Sequence, residues 1–226
     1  MNVGRLSVIV PVLDEAAGIA ASLAALAPLR ARGHELIVVD GGSRDATAAL
    51  SRSHADAVVE SPRGRARQMN TGAARAQGHV LLFLHADTTL PASADTAIAH
   101  AMANGATWGR FDVEIEGSSA MFPLIAALMN VRSRWSGIAT GDQAIFVQRD
   151  LFTRVGGFPD QPLMEDIELS RRLRAISRPA CLRERVLTSG RRWEQHGVWR
   201  TIVLMWRLRW RYWRGASPEA LAKAYR

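Results

Sequence analysis

The stretch VLLFLHADT, residues 80–88, decides the fold. Five apolar residues are followed at once by His85, Ala86 and Asp87. A continuous apolar run of this length is typical of a strand that is buried on both faces, as strands of parallel sheets are. The polar residues that follow it therefore predict a strand whose carboxyl end carries chemistry.

Two earlier stretches have the same form, LSVIVPVLDE at 6–15 and ELIVVDGG at 35–42. The polar or turn residues at their ends are Asp14, Glu15, Asp40 and Gly41. Because the carboxyl ends of parallel strands meet at one edge of a sheet, we expect these side chains to lie near His85 and Asp87 and to bind a ligand there. The alternative is that each aspartate only caps the helix or turn that follows it.

The remaining pattern alternates strands with helices, which predicts an α/β fold with a mostly parallel central sheet and helices on both faces. The other predicted strands are 57–60, 79–86, 107–116, 143–147 and 182–187. The predicted helices are 14–30, one that starts at Ser43, 65–77, 92–104, 118–134 and 165–176. We expect residues 1–195 to form the α/β domain and residues 196–226 to form a helical tail.

Composition sets limits on the class of protein. A hydrophobic content of 48% in 226 residues supports a substantial core,. The single cysteine, Cys181, cannot form an internal disulfide, which is typical of a reducing compartment,. We find neither a signal peptide nor an apolar run of the roughly 20 residues that a membrane span needs. These features predict a cytoplasmic protein.

Charge is distributed unevenly along the chain. Residues 1–170 contain 14 arginines and 18 acidic residues, a formal charge of −4. Residues 171–226 contain 14 arginines, one lysine and three glutamates, a charge of +12, together with five of the seven tryptophans. Such asymmetry indicates a tail that meets an anionic partner.

The tail pattern predicts an amphipathic helix over 198–214. One stripe of this helix contains Trp199, Val203, Trp206, Trp210 and Trp213, and the stripe beside it contains Arg200, Arg207, Arg211 and Arg214,. Tryptophan next to arginine favours peripheral contact with the inner face of a membrane, and hence a lipid acceptor such as a polyprenyl phosphate or a carotenoid. The alternatives are a helix docked on the catalytic domain and a helix paired with its twin in a homodimer.

Several classes of site are excluded by absent motifs. The chain has no G-x-G-x-x-G after its first strand, no G-x-x-x-x-G-K-[ST] and no G-x-S-x-G,. A single cysteine excludes a thiolate zinc cluster. The remaining candidates for chemistry are carboxylates and arginines.

The order of motifs resembles an inverting family-2 glycosyltransferase of the GT-A fold. VIVPVLDE, VVDGGSRDAT, ARQMNTGAARAQGHVLLFLHADT, MEDIELSRRL and GRRW occur in that order between residues 8 and 193. The resemblance covers roughly residues 5–195, and the order of the motifs is more specific than any one of them.

The resemblance implies roles for individual residues. It implies that Asp87 holds a divalent cation, Mn²⁺ or Mg²⁺, on the diphosphate of a nucleotide-sugar, most often a UDP-sugar. Asp40 matches the residue that binds the nucleotide base, and Asp166, next to Glu165, matches the catalytic base. The donor residues so predicted, with two arginines at a predicted helix start, are Pro11, Asp14, Glu15, Asp40, Gly41, Arg65, Arg67, Asn70, His85, Ala86, Asp87, Arg192 and Trp193.

Physical chemistry supports this set of residues independently. A nucleotide diphosphate gathers negative charge as it leaves, and hard-oxygen-bound cations and arginines stabilise that charge. A carboxylate on the opposite side can accept the proton of an attacking hydroxyl. Glu165 and Asp166 could instead stabilise only the start of their helix. Gly141, Asp142 and Gln143 are predicted to face the acceptor, and a plain turn is an equal alternative.

Two positions depart from the family pattern. His85 stands where an aspartate is expected, and neutral imidazole is a poor ligand for Mg²⁺. We therefore expect His85 to lie beside the metal ligands or to contact the ribose. Ser189 stands where the last motif has glutamine, which affects the acceptor side.

Two other functions remain as alternatives. A nucleotidyltransferase would need a glycine-rich basic loop directly after the first strand, where this chain has Leu13, Asp14 and Glu15. A non-enzymatic nucleic-acid or membrane-binding module would use the tail alone. It would leave the carboxylates of the acidic body unexplained, because they would repel a phosphate backbone, so no nucleic-acid partner is expected.

Overall fold

A computed structural model describes residues 4–225, and within that range eight strands form one sheet. In chain order the strands are β1 (Leu6–Val12), β2 (Glu35–Asp40), β3 (Ala57–Glu60), β4 (Val80–Phe83), β5 (Thr88–Thr89), β6 (Trp108–Glu116), β7 (Phe146–Gln148) and β8 (Ala180–Ser189). The α-helices are α1 (Ile19–Ala24), α2 (Ala27–Ala31), α3 (Thr47–Ser51), α4 (Arg65–Arg75), α5 (Ala94–Ala103), α6 (Phe122–Ser136), α7 (Arg149–Arg154), α8 (Glu165–Arg174), α9 (Arg191–His196), α10 (Val198–Trp213) and α11 (Pro218–Tyr225).

The strand order is β3-β2-β1-β4-β7-β6-β8-β5. The pairs β1–β2, β1–β4, β2–β3 and β6–β8 are parallel, whereas β7 and β5 run antiparallel to their neighbours. The predicted α/β architecture, a mostly parallel sheet with helices on both faces, is confirmed.

The central strands are apolar throughout because each face of the sheet packs against helices. Alternate residues of β1 enter different cores: Val8 and Val10 belong to one cluster, and Ile9 belongs to the other. The residues of β4 divide in the same way, with Leu82 in the first cluster and Leu81 in the second. Two buried faces leave the strand ends as the place where polar side chains reach a ligand.

The predicted helix 14–30 was wrong as a single element, because the segment forms the two short helices α1 and α2. Pro28 has no N–H to donate to the carbonyl of residue 24, and its ring would conflict with that carbonyl. A second helix therefore begins, with Pro28 in its first turn. The preceding residues, 14–18, form a turn.

Two other predicted boundaries also shift. The helix predicted from Ser43 begins at Thr47, whose N–H donates to the Asp45 carboxylate at 2.9 Å. The strand predicted at 143–147 lies at Phe146–Gln148, because residues 141–143 form a single 3₁₀ turn stabilised by Thr140.

The tail packs on the body through one side only. Leu208 of α10 and Leu221 of α11 form a small core with Met164, which directly precedes α8. The docked-helix alternative is therefore correct for the inner face of α10, whereas its tryptophans point outward. The division between residues 195 and 196 stays a prediction. Within the part of the chain that the structure describes, no helix has both the length and the apolarity to cross a bilayer.

Gly72 sets the distance between α4 and the sheet. A Cβ at this position would lie 2.4 Å from Cγ2 of Ile9 and 3.0 Å from Cγ2 of Val39, on two different strands. We expect Gly72→Ala to lower the free energy of unfolding by about 1–2 kcal/mol, because overpacking outweighs the better helix propensity of alanine. Urea denaturation checks this value.

Gly18→Ala is the matched control, because no atom lies within 4 Å of a Cβ at Gly18. That variant should change stability by no more than about 0.5 kcal/mol. Equal effects of the two substitutions would contradict the close approach of α4 to the sheet.

Candidate functional site

A cavity of about 1010 Å³ opens at the carboxyl edge of the sheet. Residues at the ends of four strands line it, among them Val12 of β1, Ile115 of β6 and Thr188 of β8, with His85 just beyond β4. Helices α6 and α10 form its outer walls. The sheet therefore brings distant parts of the sequence to one place, as the strand ends predicted.

One end of the cavity holds the acidic residues that follow β1 and β4. Glu15 and Asp87 both line the wall, together with Pro11 and Ala86. Asp87 is exposed. Burial raises the pKa of Glu15 above its usual value, Arg191 opposes this shift, and the charge of Asp87 adds to it. The structure thus brings together the predicted donor residues Pro11, Glu15, Ala86 and Asp87.

Asp14 and Asp40 hold the two loops beside this end together. The Asp14 carboxylate accepts a hydrogen bond from the Arg44 N–H at 2.8 Å, and the Asp14 N–H donates to Ser43 Oγ at 3.0 Å. Asp40 is buried and accepts from both the N–H and the hydroxyl of Ser43. Neither aspartate lines the cavity, and contact of either with a nucleotide stays a prediction.

Gly41 lies where the Gln68 side chain of α4 approaches the end of β2 closely. Its N–H donates to the Val12 carbonyl at 3.0 Å. The Gln68 amide donates to that carbonyl at 2.8 Å and to the Val39 carbonyl at 2.9 Å. A Cβ on Gly41 would lie 2.9 Å from Cδ of Gln68, so the approach of this side chain requires glycine.

Of the residues predicted on α4, one lines the cavity and two do not. Arg65 lines it, with Nη1 3.5 Å from Oε1 of Glu165. Arg67 forms a two-bonded ion pair with Asp160, at 2.8 and 3.0 Å. Asn70 exchanges hydrogen bonds with the backbone N–H and carbonyl of Phe158. A donor contact of Arg67 or Asn70 stays a prediction, because both side chains stabilise the loop before α8.

His85 pairs with a predicted acceptor-side residue. Its Nδ1 lies 3.3 Å from Oδ1 of Asp142. Burial among protein atoms would raise the pKa of Asp142, but the His85 hydrogen bond and the charges of His85, Arg65 and Arg209 hold it below its usual range. A Cβ on Gly141 would lie 2.5 Å from Nε2 of His85, so only glycine leaves room for the ring. The structure joins the end of β4 to the turn 141–143 through this pair.

Gln143 does not share the exposure of Asp142. It is fully buried, and its amide oxygen accepts from the Thr140 N–H at 3.2 Å. This hydrogen bond closes the turn itself. An acceptor contact of Gly141 or Gln143 stays a prediction, whereas Asp142 lines the cavity.

The acidic pair at the start of α8 follows a strained residue. Met164 has a φ of +67°, a region that costs a non-glycine residue about 1 kcal/mol or more,. Glu165 lines the cavity with an exposed fraction of 3%. Asp166 accepts from the Gly141 N–H at 2.8 Å and from the Ile167 N–H at 2.7 Å, and it is half-buried. Two backbone donors thus fix the Asp166 carboxylate beside the turn that carries Asp142.

Burial raises the pKa of Glu165, and the nearby negative charge of Asp166 adds to the shift, while Arg65 opposes it. Folding therefore makes Glu165 a weaker acid than a free glutamate. Glu165 is buried with Oε1 3.5 Å from Nη1 of Arg65, and Asp166 is the more accessible carboxylate of the two.

Arg192 and Trp193 contact the tail as well as the cavity. The Arg192 guanidinium lies 3.7 Å from the centre of the Tyr225 ring and donates to the Tyr225 carbonyl at 3.0 Å. Trp193 packs against the larger core cluster and lines the cavity. Both predicted residues reach the cavity, and α11 covers one of them.

Sequence reasoning missed the arginines of the outer walls. Arg132 of α6 and Arg209 of α10 line the cavity. A signal for them exists in the sequence. Each arginine shares a helical face with apolar residues that also line the cavity,. On α6, Met129 and Ile125 lie three and seven residues before Arg132. On α10, Met205 and Ile202 lie four and seven residues before Arg209. Arg191 and Tyr225 also line the cavity and were not predicted.

The side chains of the cavity can hold a divalent cation only if substrate oxygens complete its coordination. Among residues 4–225, no three His, Cys, Asp or Glu side chains are grouped closely enough to hold a metal ion. The exposed Asp87 carboxylate offers hard oxygen atoms to the cavity. Mg²⁺ and Mn²⁺ accept such a set, one or two carboxylates with waters and substrate phosphates.

An α/β sheet with an acid- and arginine-lined cavity at its carboxyl edge is what the predicted resemblance to the GT-A class requires, and comparisons with known proteins agree. The family model "Glycosyl transferase family 2" matches residues 7–158, and the chain belongs to that family. Two curated relatives, both described as "PGL/p-HBAD biosynthesis glycosyltransferase", come from Mycobacterium bovis and Mycobacterium tuberculosis. Each is 31% identical over 169 residues, which cover 67% of this chain and 62% of the relative. The chain thus spans less than two thirds of their length.

Solved structures show the same fold at low identity. The mannosyltransferase PcManGT from Pyrobaculum calidifontis, in complex with GDP-Man and Mn²⁺, has a TM-score of 0.66 and 21% identity, and the match covers 98% of this chain and 69% of that one. S. aureus TarS 1-349 in complex with UDP-GlcNAc has a TM-score of 0.64 and 18% identity, with 82% and 58% covered. Glucosyl-3-phosphoglycerate synthase from Mycobacterium tuberculosis, with Mn²⁺, UDP and glucosyl-3-phosphoglycerate, has a TM-score of 0.59 and 20% identity, with 82% and 71% covered.

The family match confirms the predicted resemblance to family-2 glycosyltransferases, and the solved structures confirm the predicted GT-A fold.

The pKa of Glu165 predicts how stability changes with pH. Because folding raises this pKa above 4.5, the stabilising contribution of protonated Glu165 is complete below pH 4.5 and is lost as the pH rises through the folded value,. We expect the stability of the wild type relative to Glu165→Gln to fall between pH 4.5 and pH 7, because glutamine stays neutral. Urea denaturation at the two pH values measures it.

Glu219→Gln is the control, because Glu219 is an exposed glutamate in the first turn of α11. The stability of the wild type relative to Glu219→Gln should stay the same between pH 4.5 and pH 7. A wild type that gains stability over Glu165→Gln as the pH rises would contradict the burial of this carboxylate.

Proposed function

We propose that this glycosyltransferase moves a sugar from a nucleotide-sugar, preferably a UDP-sugar, to an acceptor hydroxyl with inversion of configuration. The observation that carries the proposal is the cavity at the carboxyl edge, with Asp87 on its wall and the acidic pair Glu165–Asp166 beside the turn 141–143. UDP is preferred because TarS and the glucosyl-3-phosphoglycerate synthase were solved with UDP compounds, while GDP in PcManGT is the second candidate.

The end of the cavity near Glu15 and Asp87 suits the nucleotide diphosphate. Asp87 would hold a divalent cation, which supplies positive charge to the leaving diphosphate when it is bound. Arg191 and Arg192 line the same cavity and can donate hydrogen bonds to phosphate oxygens,. These arginines therefore stabilise charge that grows only as the sugar–phosphate bond breaks.

Asp166 is proposed as the general base. Its carboxylate is fixed by the N–H groups of Gly141 and Ile167, which leaves further lone pairs for a substrate hydroxyl,. As the acceptor oxygen attacks the anomeric carbon, its proton passes to Asp166 and the bond to the diphosphate breaks on the opposite face. Glu165 is proposed as a positioning residue, because it is buried against Arg65.

Donor binding and turnover should separate in two variants. We expect calorimetric titration of UDP with Mn²⁺ to show tight binding by the wild type and by Asp166→Asn. In Asp87→Asn the effect of Mn²⁺ should disappear, because the carboxylate that holds the ion is gone. Hydrolysis of a panel of UDP- and GDP-sugars should fall about 10²- to 10⁴-fold in Asp166→Asn, the usual contribution of a general base.

Asp150→Asn is the control for both measurements, because Asp150 is an exposed aspartate of α7 outside the cavity. It should match the wild type. Mn²⁺-dependent UDP binding that survives in Asp87→Asn would contradict the role of Asp87. Full turnover in Asp166→Asn would contradict the role of Asp166.

An apolar surface around the cavity mouth supports peripheral membrane contact. Nine of the eleven large hydrophobic side chains that are exposed among residues 4–225 lie on α6 and α10. They are Leu124, Leu128, Val131 and Trp135 on α6, and Trp199, Val203, Trp206, Trp210 and Trp213 on α10. We call these nine residues the mouth surface. The contribution of α6 was not predicted from the sequence.

The mouth surface suits an anionic bilayer better than a second copy of the chain. Arginines 200, 207 and 214 of the same tail are exposed, and the Arg214 guanidinium lies 5.3 Å from the centre of the Trp210 ring. Two such tails would repel each other, whereas anionic headgroups would attract both. Tryptophan beside arginine at a surface is typical of the headgroup region.

Vesicle sedimentation tests this contact. We expect the wild type to bind vesicles of phosphatidylglycerol and phosphatidylcholine, and binding to weaken in high salt. The double variant Trp135→Ser/Trp213→Ser should bind about tenfold more weakly, because it loses two exposed rings of the mouth surface. Ile176→Ser is the control, since Ile176 is an exposed apolar residue outside that surface. A wild type that does not sediment with vesicles, or that dimerises through these tryptophans, would contradict membrane contact.

A further inference from the structure

Arg132 lines the cavity with part of its guanidinium group unsatisfied. Its Nε and Nη2 atoms are buried, and neither has a hydrogen-bond partner among the described residues. Burial and the neighbouring charge of Arg209 lower the pKa of Arg132 to about 10, against the attraction of Asp166 and Asp142. A buried donor without a partner is costly, so such a group calls for a ligand, ion or water that satisfies it.

The neighbouring arginines show that partners were available nearby. Arg110 is fully buried, yet it donates to Ser133 Oγ at 3.1 Å and to the Asn130 carbonyl at 3.1 Å, and it pairs with Asp112. Arg134, two residues after Arg132, donates to both Asp112 oxygens at 2.7 and 2.8 Å. The local structure thus satisfies Arg110 and Arg134 but leaves Arg132 facing the cavity.

Arg209 adds a second positive charge from the opposite wall. It lies on α10 and lines the same cavity. Burial lowers its pKa, and Asp166 and Asp142 oppose the shift without reversing it. Two guanidinium groups therefore share one region of the cavity, and the carboxylates that influence both are those of the proposed acceptor side.

Different charges act on Arg132 and on Glu15 at the donor end. The groups that act on Glu15 there are Arg191 and three aspartates, Asp87, Asp45 and Asp14. The groups that act on Arg132 are Arg209, Asp166, Arg110 and Asp142. The cavity accordingly has one charged region around Asp87 and another around Asp142, which lies near Asp166.

The walls that lead to the two arginines are apolar. On α6 the cavity is lined by Ile125, Leu128 and Met129 ahead of Arg132, and on α10 by Ile202 and Met205 ahead of Arg209. The outer part of these walls is continuous with the mouth surface, because Leu128 and Trp206 belong to both. A ligand that satisfies the whole region needs an apolar body and an anionic group.

We propose that Arg132 and Arg209 form an oxyanion site that holds the phosphate group of an amphiphilic ligand whose apolar body lies between α6 and α10. Phosphate fits two neighbouring guanidinium groups best, because it offers several acceptor oxygens and up to two negative charges. Calling this ligand the sugar acceptor rests on the proposed function, whereas the anion site itself does not.

Dodecyl phosphate, kept below its micelle concentration, is the probe, with inorganic phosphate and the neutral amphiphile dodecyl maltoside as comparisons. We expect calorimetry to show that dodecyl phosphate binds the wild type at least tenfold more tightly than either comparison. Arg132→Gln and Arg209→Gln should each weaken its binding about tenfold or more. Arg154→Gln, an exposed arginine of α7 outside the cavity, should bind it like the wild type.

Two further measurements show whether these arginines bind an anion, stabilise the fold or bind the donor. The melting temperature of Arg132→Gln should stay the same or rise, because the substitution removes a buried charge that has no partner. UDP titration with Mn²⁺ should be unchanged in Arg132→Gln and Arg209→Gln. Loss of UDP binding in parallel with dodecyl phosphate binding would assign the arginines to the donor and overturn the inference, while the proposed function would stand.

The remaining outcomes also decide the matter. Undiminished dodecyl phosphate binding in both variants would overturn the anion site. Inorganic phosphate that binds as tightly as dodecyl phosphate would overturn the amphiphilic ligand. A wild type that binds no nucleotide but binds dodecyl phosphate through Arg132 would support the anion site and contradict the proposed donor.

Discussion

Burial of the sheet on both faces is the constraint on which the rest of the structure depends. Since Val8 and Ile9, or Leu81 and Leu82, must enter opposite cores, no central position of these strands can carry a group that meets solvent. Polar chemistry is therefore confined to the strand ends. The parallel register of β1, β2 and β4 then places those ends at one edge, and the cavity lies there.

What the sequence could predict follows from this constraint. The apolar runs ahead of Asp14, Asp40 and Asp87 indicate both the sheet and its functional edge, because strand burial and strand ends are local properties of a sequence. Pairing across the fold is not local. The contact of His85 with Asp142 depends on a turn 57 residues away closing beside β4, and no periodicity in either segment indicates it. The turn-cap alternative is correct for Asp40, which accepts from the N–H groups of Gly42 and Ser43, but nothing local in the sequence indicates that Asp14 binds Arg44.

The uneven charge of the sequence indicated a basic tail, but the position of its arginines was only partly predicted. The +12 balance of residues 171–226 predicted an anionic partner outside the body. The structure shows that arginines from that region also turn inward, since Arg191, Arg192 and Arg209 line the cavity. An excess of positive charge within a cavity attracts anions more strongly than the same charge on a surface, because low-dielectric walls screen it less. Part of the basic tail thus belongs to the site.

Helix α10 joins these two uses of the tail. Its inner residues, Leu204 and Leu208, hold it against Met164, directly before the acidic pair of α8. Its side face carries Arg209 into the cavity, and its outer face carries tryptophans to solvent. One rigid helix of 16 residues therefore has contacts with the site and with the exterior at the same time. Met164 has a left-handed backbone directly before Glu165 and Asp166, and it packs against Leu208 of α10. The packing that starts α8 and the packing that seats α10 therefore share one small core.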